Sequence, residues 1–153
     1  MNAVRVDRLG LADVGRVLAA AHLFDDAPTV DGVEALLRRE GHHLLFASVD
    51  GVDAGFAVGV EVLHVDRAPE MYLDELGTDD AFRRRGVALA LLAALRQLAG
   101  QRGCDGIWAA VVPDNEPALA MYERAGAADP EPTVIVAWDS VQHTGSFEAV
   151  EPP

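Results

Sequence analysis

The sequence predicts a single α/β (α+β) domain in which a mixed, mostly antiparallel sheet is flanked by about four helices. Its 153 residues are 50% hydrophobic and 24% charged, which suits one domain with one core. Stretches that alternate apolar and polar side chains, as half-buried strands do, are interspersed with stretches of helical periodicity. Together they give the element order βααβββαβαβ. We assign residues 1–140 to the domain and residues 141–153, which end in Pro-Pro without periodicity, to a frayed tail.

The first third of the chain contains a strand and two helices. Residues 4–9 alternate apolar and polar side chains, and residues 11–23 place their apolar side chains on one helical face. A polar stretch with Pro28 ends that helix. Asp31 is then positioned to cap a second helix through residues 34–39.

A hairpin follows the second helix. Residues 44–49 and 52–63 are two β-rich runs, and the Asp50-Gly51 pair between them is the strongest two-residue hairpin signal, because both turn positions require positive φ. The two strands are therefore antiparallel. We interpret Gly55 and Gly59 as strand features and not as a phosphate cradle.

The remaining chain alternates strands with helices. Residues 71–76 are typical of a strand, and residues 88–98 are typical of a long, deeply packed helix. Residues 104–112 follow as a strand and residues 116–125 as a helix that a glycine ends. Residues 133–138 then form the last predicted strand.

Charge and cysteine content exclude several classes of function. Twelve basic residues, all Arg, against 25 Asp and Glu give a net charge of −13, which repels nucleic-acid backbones and attracts cations. The single cysteine, Cys104, excludes an internal disulfide and is interpreted as a small buried thiol. The first residues lack the apolar core of a signal peptide, and the longest apolar run, residues 87–95, is half of a membrane span. The sequence predicts a cytoplasmic protein that binds neither nucleic acid nor membrane.

Histidines and tryptophans are interpreted without a chemical role. His42 and His43 are adjacent near a strand start and therefore diverge, and no clustered cysteine or His-x-x-x-His accompanies them, so we assign no metal. Trp108 and Trp138 are expected in the core or at a subunit contact.

Residues 78–89 break two local rules where a strand ends and a helix begins. Arg83, Arg84 and Arg85 oppose the helix dipole and repel one another, and Gly86 in the first turn costs about 1 kcal/mol relative to alanine. Such conflicts are typical of functional sites. A bound phosphate would explain them, because free backbone N–H groups would point at it and the glycine would allow close approach. The alternative is an arginine cluster that faces water.

The spacing of this segment carries a resemblance. No Lys-Ser or Lys-Thr follows the glycine and no Gly-x-Gly-x-x-Gly is present, which excludes the P-loop and dinucleotide folds. Residues 83–88, Arg-Arg-Arg-Gly-Val-Ala, resemble the Arg/Gln-x-x-Gly-x-Gly/Ala signature of the GNAT superfamily of N-acetyltransferases. Residues 115–126 resemble its Asn-x-x-Ala-x-x-x-Tyr-x-x-x-Gly helix. The resemblance extends over residues 3–138 and implies the GNAT fold, with a twisted sheet of six to seven strands.

The resemblance implies acetyl-CoA as co-substrate and no metal. The arginine loop would wrap the pyrophosphate of the coenzyme, and backbone groups at the end of the preceding strand would hold its pantetheine arm. The cofactor-binding residues implied in this way are Leu76, Gly77, Thr78, Arg83, Arg84, Arg85, Gly86, Val87, Ala88, Asn115 and Tyr122.

Acetyl transfer to an amine needs a base for the amine and an acid for the departing thiolate. Asp74 and Glu75 point to opposite faces of their strand, so only one of them faces the acceptor, and the resemblance favours Glu75. The alternative roles for Glu75 are to anchor the substrate or to be a rim carboxylate without a catalytic role. The resemblance makes Tyr122 the acid, whereas the residues alone favour an ordinary helix-face aromatic.

The expected acceptor side of the fold is rich in carboxylates. Asp25, Asp26, Glu75 and Asp114 would surround a cationic amine. The loop of residues 22–26, the strand of residues 72–78 and the helix of residues 117–122 together resemble the type I aminoglycoside 3-N-acetyltransferases, which implies 3-N-acetylation of an aminoglycoside. Another small amine, a protein amine or a non-catalytic CoA-binding module are the alternatives, and Tyr122 argues against the last. A homodimer is left open.

Overall fold

The computed structural model describes residues 3–138, and the predicted tail of residues 141–153 lies outside them. Within this range the chain forms one five-stranded sheet and four α-helices. Short 3-10 turns flank α1 and precede α3. The elements are β1 Val4–Arg8, α1 Val14–Ala19, α2 Val30–Arg38, β2 His42–Val49, β3 Val52–Val62, β4 Glu70–Thr78, α3 Val87–Gln101, β5 Ile107–Trp108 and α4 Glu116–Arg124.

The sheet is mixed, as the sequence predicts. Its strands lie in the order β1-β2-β3-β4-β5, the first four are antiparallel neighbours, and β5 runs parallel to β4. Asp50 and Gly51 have φ values of 51° and 81°, which confirms the tight hairpin between β2 and β3. The described residues form five strands and not the expected six to seven.

Both faces of the sheet are covered, so β2 and β3 are continuous apolar runs. In β2, Leu44 and Phe46 face α1 and α2, whereas Leu45 and Ala47 face α3. The long helix α3 lies very close to β3. A Cβ atom on Gly59 would lie 2.6 Å from a Leu95 methyl carbon, so the approach of helix and sheet requires glycine there.

Two predicted elements are interrupted and one cap is reassigned. The predicted helix of residues 11–23 is three short pieces, because α1 spans Val14–Ala19 between 3-10 turns. Thr29, and not Asp31, caps α2, since its hydroxyl accepts from Gly32 N at 3.1 Å. The predicted strand of residues 104–112 shrinks to β5, which pairs only with Met71 and Tyr72.

The predicted strand of residues 133–138 is wrong for the described chain, since this segment has no strand partner among residues 3–138. Trp138 and Trp108 are both exposed, which excludes the core and leaves the other expected place, a subunit contact, as a prediction. A strand is stable only when a neighbour accepts its backbone hydrogen bonds, and sequence pattern does not supply the neighbour.

Candidate active site

The site begins where β4 and β5 separate. β5 pairs with Met71 and Tyr72, and along the rest of β4 no described residue forms a strand on that side. Asp79 N donates to Ala54 O at 2.8 Å, toward β3. Because successive residues of a strand alternate in direction, Leu76 and Thr78 turn their N–H and C=O groups to the open edge. This edge can accept an extended chain as an added strand.

A β-bulge determines the directions of the side chains of β4 just before this edge. The register of β3 against β4 shifts between Val58 and Gly59, so that Glu75 pairs with Val58 and Leu73 with Gly59. Asp74 is the extra residue without a partner in β3. Glu75 therefore faces α1 and α2, whereas Leu76 packs against the core on the α3 side.

The loop after β4 presents backbone N–H groups at the start of α3. Asp79 Oδ1 accepts from Ala81 N at 2.8 Å and holds the first turn of this loop. Arg84 and Gly86 then adopt left-handed conformations, with φ of 62° and 78°. Gly86 is the N-cap of α3 and has no side chain to cap it, so the first N–H groups of α3 point outward without a side-chain acceptor.

The arginines of this loop are arranged around its turn. Arg83 Nη2 lies 2.6 Å from Asp80 Oδ1, and the Arg85 guanidinium lies 5.4 Å from the Phe82 ring centroid. Among residues 3–138, Arg84 and Arg85 have no carboxylate within ion-pair distance. The loop therefore keeps uncompensated positive charge in a chain of net charge −13.

This geometry fits a pyrophosphate. A Cβ built on Gly86 meets no atom within 4 Å, so space is open in front of the helix N-terminus. Exposed N–H groups, the positive end of the helix dipole and free guanidinium groups are what a phosphate group binds. Of the predicted loop residues, Arg83 to Ala88 are all brought together at this turn.

Helix α4 carries the predicted acid. Asn115 Oδ1 accepts from Ala118 N at 3.2 Å and caps α4, so its amide nitrogen remains for another partner. Tyr122, two turns later, is half-buried against the same core that Leu76 borders. Burial raises the pKa of the Tyr122 phenol, so it stays protonated at neutral pH and can donate.

A cleft of about 300 Å³ lies on the opposite face of β4, under α1 and α2. Glu75 is its one charged lining residue. Partial burial, and then the nearby carboxylates of Asp74 and Asp25, raise the pKa of Glu75. A carboxylate with a raised pKa is a better proton acceptor near neutral pH. The walls are apolar or uncharged: Val17, Phe24, Ala27, Pro28, Thr29, Gly32, Val33, Leu36, Leu44 and Val58.

The predicted acceptor residues separate in the structure. Asp25 lies close enough to Glu75 to raise its pKa. Asp26 and Asp114 are exposed and line no part of this cleft. The apolar walls are the feature that sequence reasoning missed, because an apolar helical face predicts core packing equally well.

One other charged region lacks this chemistry. A depression of about 730 Å³ beside the hairpin is lined by residues that pair with one another, since Arg16 lies 2.7 Å from Asp53 Oδ1 and 3.0 Å from Asp7 Oδ2. Among residues 3–138, no three His, Cys, Asp or Glu side chains are placed to hold a metal ion. No helix in that range is long and apolar enough to cross a membrane.

The C-terminal end of α3 covers a buried histidine. Both ring nitrogens of His43 lack hydrogen bonds among the described residues, and Nε2 lies 3.7 Å from Glu61 Oε1. Arg102 holds Glu61 through contacts of 2.5 and 3.1 Å. Burial lowers the pKa of His43, so its ring is neutral at neutral pH. Cys104 nearby is half-buried, and burial raises the pKa of its thiol, which fits an inert thiol.

Comparison with known proteins decides the family. Residues 16–127 match the model of the acetyltransferase (GNAT) family. The chain belongs to the GNAT family of acetyltransferases. The matched range of this GNAT acetyltransferase contains the cleft lined by Glu75, the arginine loop and α4.

Relatives of this GNAT acetyltransferase include aminoglycoside-modifying enzymes. An aminoglycoside N(6′)-acetyltransferase type 1 of Salmonella typhimurium is 30% identical over 118 residues, which are 72% of this chain and 79% of the relative. The mycothiol acetyltransferase of Clavibacter sepedonicus is 42% identical over 87 residues, 56% of this chain and 27% of that protein. The aminoglycoside relative is of the 6′ type, so the 3-N type is not confirmed.

Solved structures share the fold. An aminoglycoside acetyltransferase from a soil metagenomic sample superposes with a TM-score of 0.75 at 17% identity, over 91% of this chain and 97% of that one. An aminoglycoside N-acetyltransferase of the (6′)-Iy type, solved with CoA, superposes with a TM-score of 0.74 at 21% identity, over 92% of this chain and 97% of that one. The ribosomal-protein-alanine N-acetyltransferase of Brucella melitensis superposes with a TM-score of 0.68 at 24% identity, over 89% of this chain and 100% of that one. These likenesses confirm the expected fold class.

Proposed function

We propose that this GNAT acetyltransferase moves the acetyl group of acetyl-CoA to a primary amine of an aminoglycoside. The observation that carries the proposal is the position of the open edge of β4. The side chain of Glu75 lines the cleft, and the side chain of Leu76 packs on the α3 side. An amine in the cleft and an extended chain along the open edge would therefore meet at β4.

The arginine loop supports acetyl-CoA as the acetyl donor. Acetyl-CoA, when bound, supplies an acetyl group activated as a thioester. The N–H groups at the start of α3 and the guanidinium groups of Arg84 and Arg85 would hold its pyrophosphate. The open edge at Leu76 and Thr78 would hold the pantetheine arm by backbone hydrogen bonds, and Asn115 would contact that arm with its free amide nitrogen.

Three groups of the chain would then perform the transfer. Glu75 would take a proton, directly or through water, from the nitrogen of the neutral amine as that nitrogen attacks the thioester carbonyl. The N–H of Leu76 at the open edge would donate to the thioester oxygen as negative charge develops there. Tyr122 would give its phenolic proton to the departing sulfur as the C–S bond breaks and the amide C–N bond forms.

The acceptor proposal rests on the carboxylate charges near the cleft and on sequence similarity to a known enzyme. Glu75 in the cleft lining and Asp25, which is close enough to raise the pKa of Glu75, would attract a polycationic antibiotic together with the adjacent Asp26. The 30% identical relative is named for the 6′ amine, so we propose the 6′ position in place of the 3-N position.

The walls of the cleft favour a second candidate. Apart from Glu75 its lining is uncharged and largely apolar, which suits an amine on an apolar group, such as the N-terminus of a protein chain. A polycation would have to keep most of its charges outside these walls, whereas an apolar amine would fill the cleft.

A thiol-release assay separates these proposals. Acetyl-CoA is offered with a 6′-amino aminoglycoside, an aminoglycoside lacking that amine, a polyamine and a peptide with a free N-terminus. Turnover with the first compound alone is expected. Turnover with the peptide alone would favour the second candidate, and none with any amine would reopen a non-catalytic role.

Paired variants test the base. Glu75→Gln should lower kcat/KM by roughly 10²-fold or more, because the amine loses its proton acceptor. The neighbouring Asp74→Asn is the matched control, since Asp74 is not part of the cleft lining and acts on Glu75 only by raising its pKa, so this variant should shift the pH dependence without a comparable loss. Equal losses in both variants would contradict the assignment of Glu75.

A further inference from the structure

Two aromatic side chains lie on the same face of the sheet as Glu75. Met71 and Leu73 pack on the α3 side, and successive residues of a strand alternate in direction, so Tyr72 points to the face that α1 and α2 partly cover. Trp108 pairs with Tyr72 in the register of β5, and their ring centroids lie 4.4 Å apart at 35°. The aromatic pair therefore shares one face with Glu75, which lines the cleft there.

The register of β3 gives the spacing between the aromatic pair and Glu75. Val58 lies opposite Glu75, and Val60 lies opposite Tyr72. Two residues along a strand span about 7 Å, so Tyr72 occupies the row of side chains next to that of Glu75. Within residues 3–138, the lining of the cleft includes neither Tyr72 nor Trp108. The pair therefore lies just beyond the cleft, about one row from the proposed base.

The cleft has no group for the second charge of a polycation. Glu75 is its one charged lining residue and faces the reacting amine. The row beyond Tyr72 carries Glu70, but Glu70 Oε2 already lies 2.8 Å from His64 Nε2 and 3.7 Å from Arg67 Nη2. An ammonium group held one row away from the reacting amine would therefore meet the aromatic pair.

Aromatic faces are suited to this charge. The face of a tryptophan ring is negative and attracts a cation that lies within about 6 Å of its centroid. Among the described residues, the cationic side chains that lie over rings are Arg16 on Phe46 and Arg85 on Phe82, so the pair is occupied by neither. With a net charge of −13, the chain also attracts polycations as a whole.

We propose that Tyr72 and Trp108 form a second ammonium site of the acceptor. While one amine of the acceptor reacts at Glu75, a second ammonium of the same molecule lies over the Trp108 ring, which Tyr72 supports from its other side. This inference rests on the proposed function and makes it more specific. It selects acceptors with two or more amines about one strand row, roughly 7 Å, apart.

Two acceptors that differ in the second charge test the site by kinetics. Kanamycin carries a 6′ amine and further amines, whereas 6-amino-6-deoxyglucose carries a comparable amine alone. Trp108→Leu should raise the KM for kanamycin roughly tenfold with little change in kcat, and should leave kcat/KM for the monoamine nearly unaltered. Trp108→Phe keeps a ring and should lose less. An unaltered KM for kanamycin, or equal losses for both acceptors, would overturn the proposal.

The other tryptophan provides the matched control. Trp138 is exposed and lies outside the sheet, so Trp138→Leu should leave both acceptors unaffected. A rise in Tm with CoA equal to that of the parent shows that the Trp108 variants are folded and bind coenzyme. A loss in Trp138→Leu equal to that in Trp108→Leu would show that the effect does not belong to the aromatic pair.

Fluorescence without acetyl-CoA separates this inference from the proposed function. Trp138→Phe leaves Trp108 as the only tryptophan of the chain. Kanamycin should change its fluorescence saturably, with a Kd at least tenfold lower than that of 6-amino-6-deoxyglucose. A saturable change without thiol release in the presence of acetyl-CoA would retain the ammonium site and refute acetyl transfer to this acceptor. Thiol release with unaltered fluorescence would refute the site and leave the proposed function intact.

Discussion

Gly86→Glu is the sharpest test of the arginine loop as a pyrophosphate site. Gly86 has φ of 78° and a built Cβ meets no atom within 4 Å, so the substitution adds backbone strain and charge without a steric clash. The strain of a side chain in the left-handed conformation is about 1–2 kcal/mol. A carboxylate about 5 Å from a phosphate costs roughly 3 kcal/mol at an effective dielectric constant near 20. Coenzyme affinity should therefore fall by about a hundredfold or more.

The chain provides a matched control at the other end of the same helix. Gly103 follows α3, has φ of 76° and likewise has no atom within 4 Å of a built Cβ. Gly103→Glu thus adds the same strain and the same charge, away from the loop. Gly86→Ala adds the strain at the loop without the charge. The two controls separate the electrostatic effect from loss of stability.

Thermal unfolding with and without CoA is the assay. A ligand at a hundred times its Kd stabilises the parent by about 2.7 kcal/mol, and a hundredfold loss of affinity reduces this to about 0.4 kcal/mol. At about 3 °C per kcal/mol, the CoA-induced rise in Tm should fall from about 8 °C to about 1 °C. Gly103→Glu should keep the full rise. The same rise in Gly86→Glu would refute the loop as the pyrophosphate site.

Three further predictions concern the acid, the base and the buried histidine. Tyr122→Phe should lower kcat by roughly 10²-fold with unchanged CoA affinity, because only the departing thiolate loses its donor; unaltered kcat in steady-state kinetics would contradict the acid role. Asp25→Asn removes a charge that raises the pKa of Glu75, so the acidic limb of the kcat/KM profile should move to lower pH, and a fixed limb would show that Glu75 does not control it. His43→Leu should raise the free energy of unfolding at pH 7 by about 1 kcal/mol, because unsatisfied buried nitrogens are removed. Burial lowers the pKa of His43 below 6.5, so protonation of His43 does not reduce the free energy of unfolding above pH 6.5 and reduces it as the pH drops from 6.5 toward the folded pKa. Urea denaturation at pH 7 and 5.5 should therefore show a smaller fall in this free energy in the variant than in the parent. An equal fall would argue against His43.

Local chemistry in the sequence predicted several features that the structure confirms. The Asp50-Gly51 turn requires positive φ at both residues, and both have it. The rule-breaking loop around Gly86 is the left-handed turn at the start of α3. The predicted helix of residues 116–125 is α4, Glu116–Arg124. Each feature depends on residues close together in the chain, and for that reason sequence alone determined it.

Features that depend on distant neighbours were decided only by the tertiary structure. Asp74 and Glu75 were expected to point to opposite faces of their strand, and the tertiary structure adds a register shift against β3 that leaves Asp74 unpaired and sets Glu75 opposite Val58. The apolar cleft exists because α1 and α2 cross the face on which Glu75 lies. Residues 133–138 have a strand pattern and no partner in the described chain. The sequence by itself determined the hairpin turn, the loop at Gly86 and the GNAT motifs through local backbone preferences, whereas the choice of neighbour for each strand edge and apolar face depends on contacts between segments far apart in the chain.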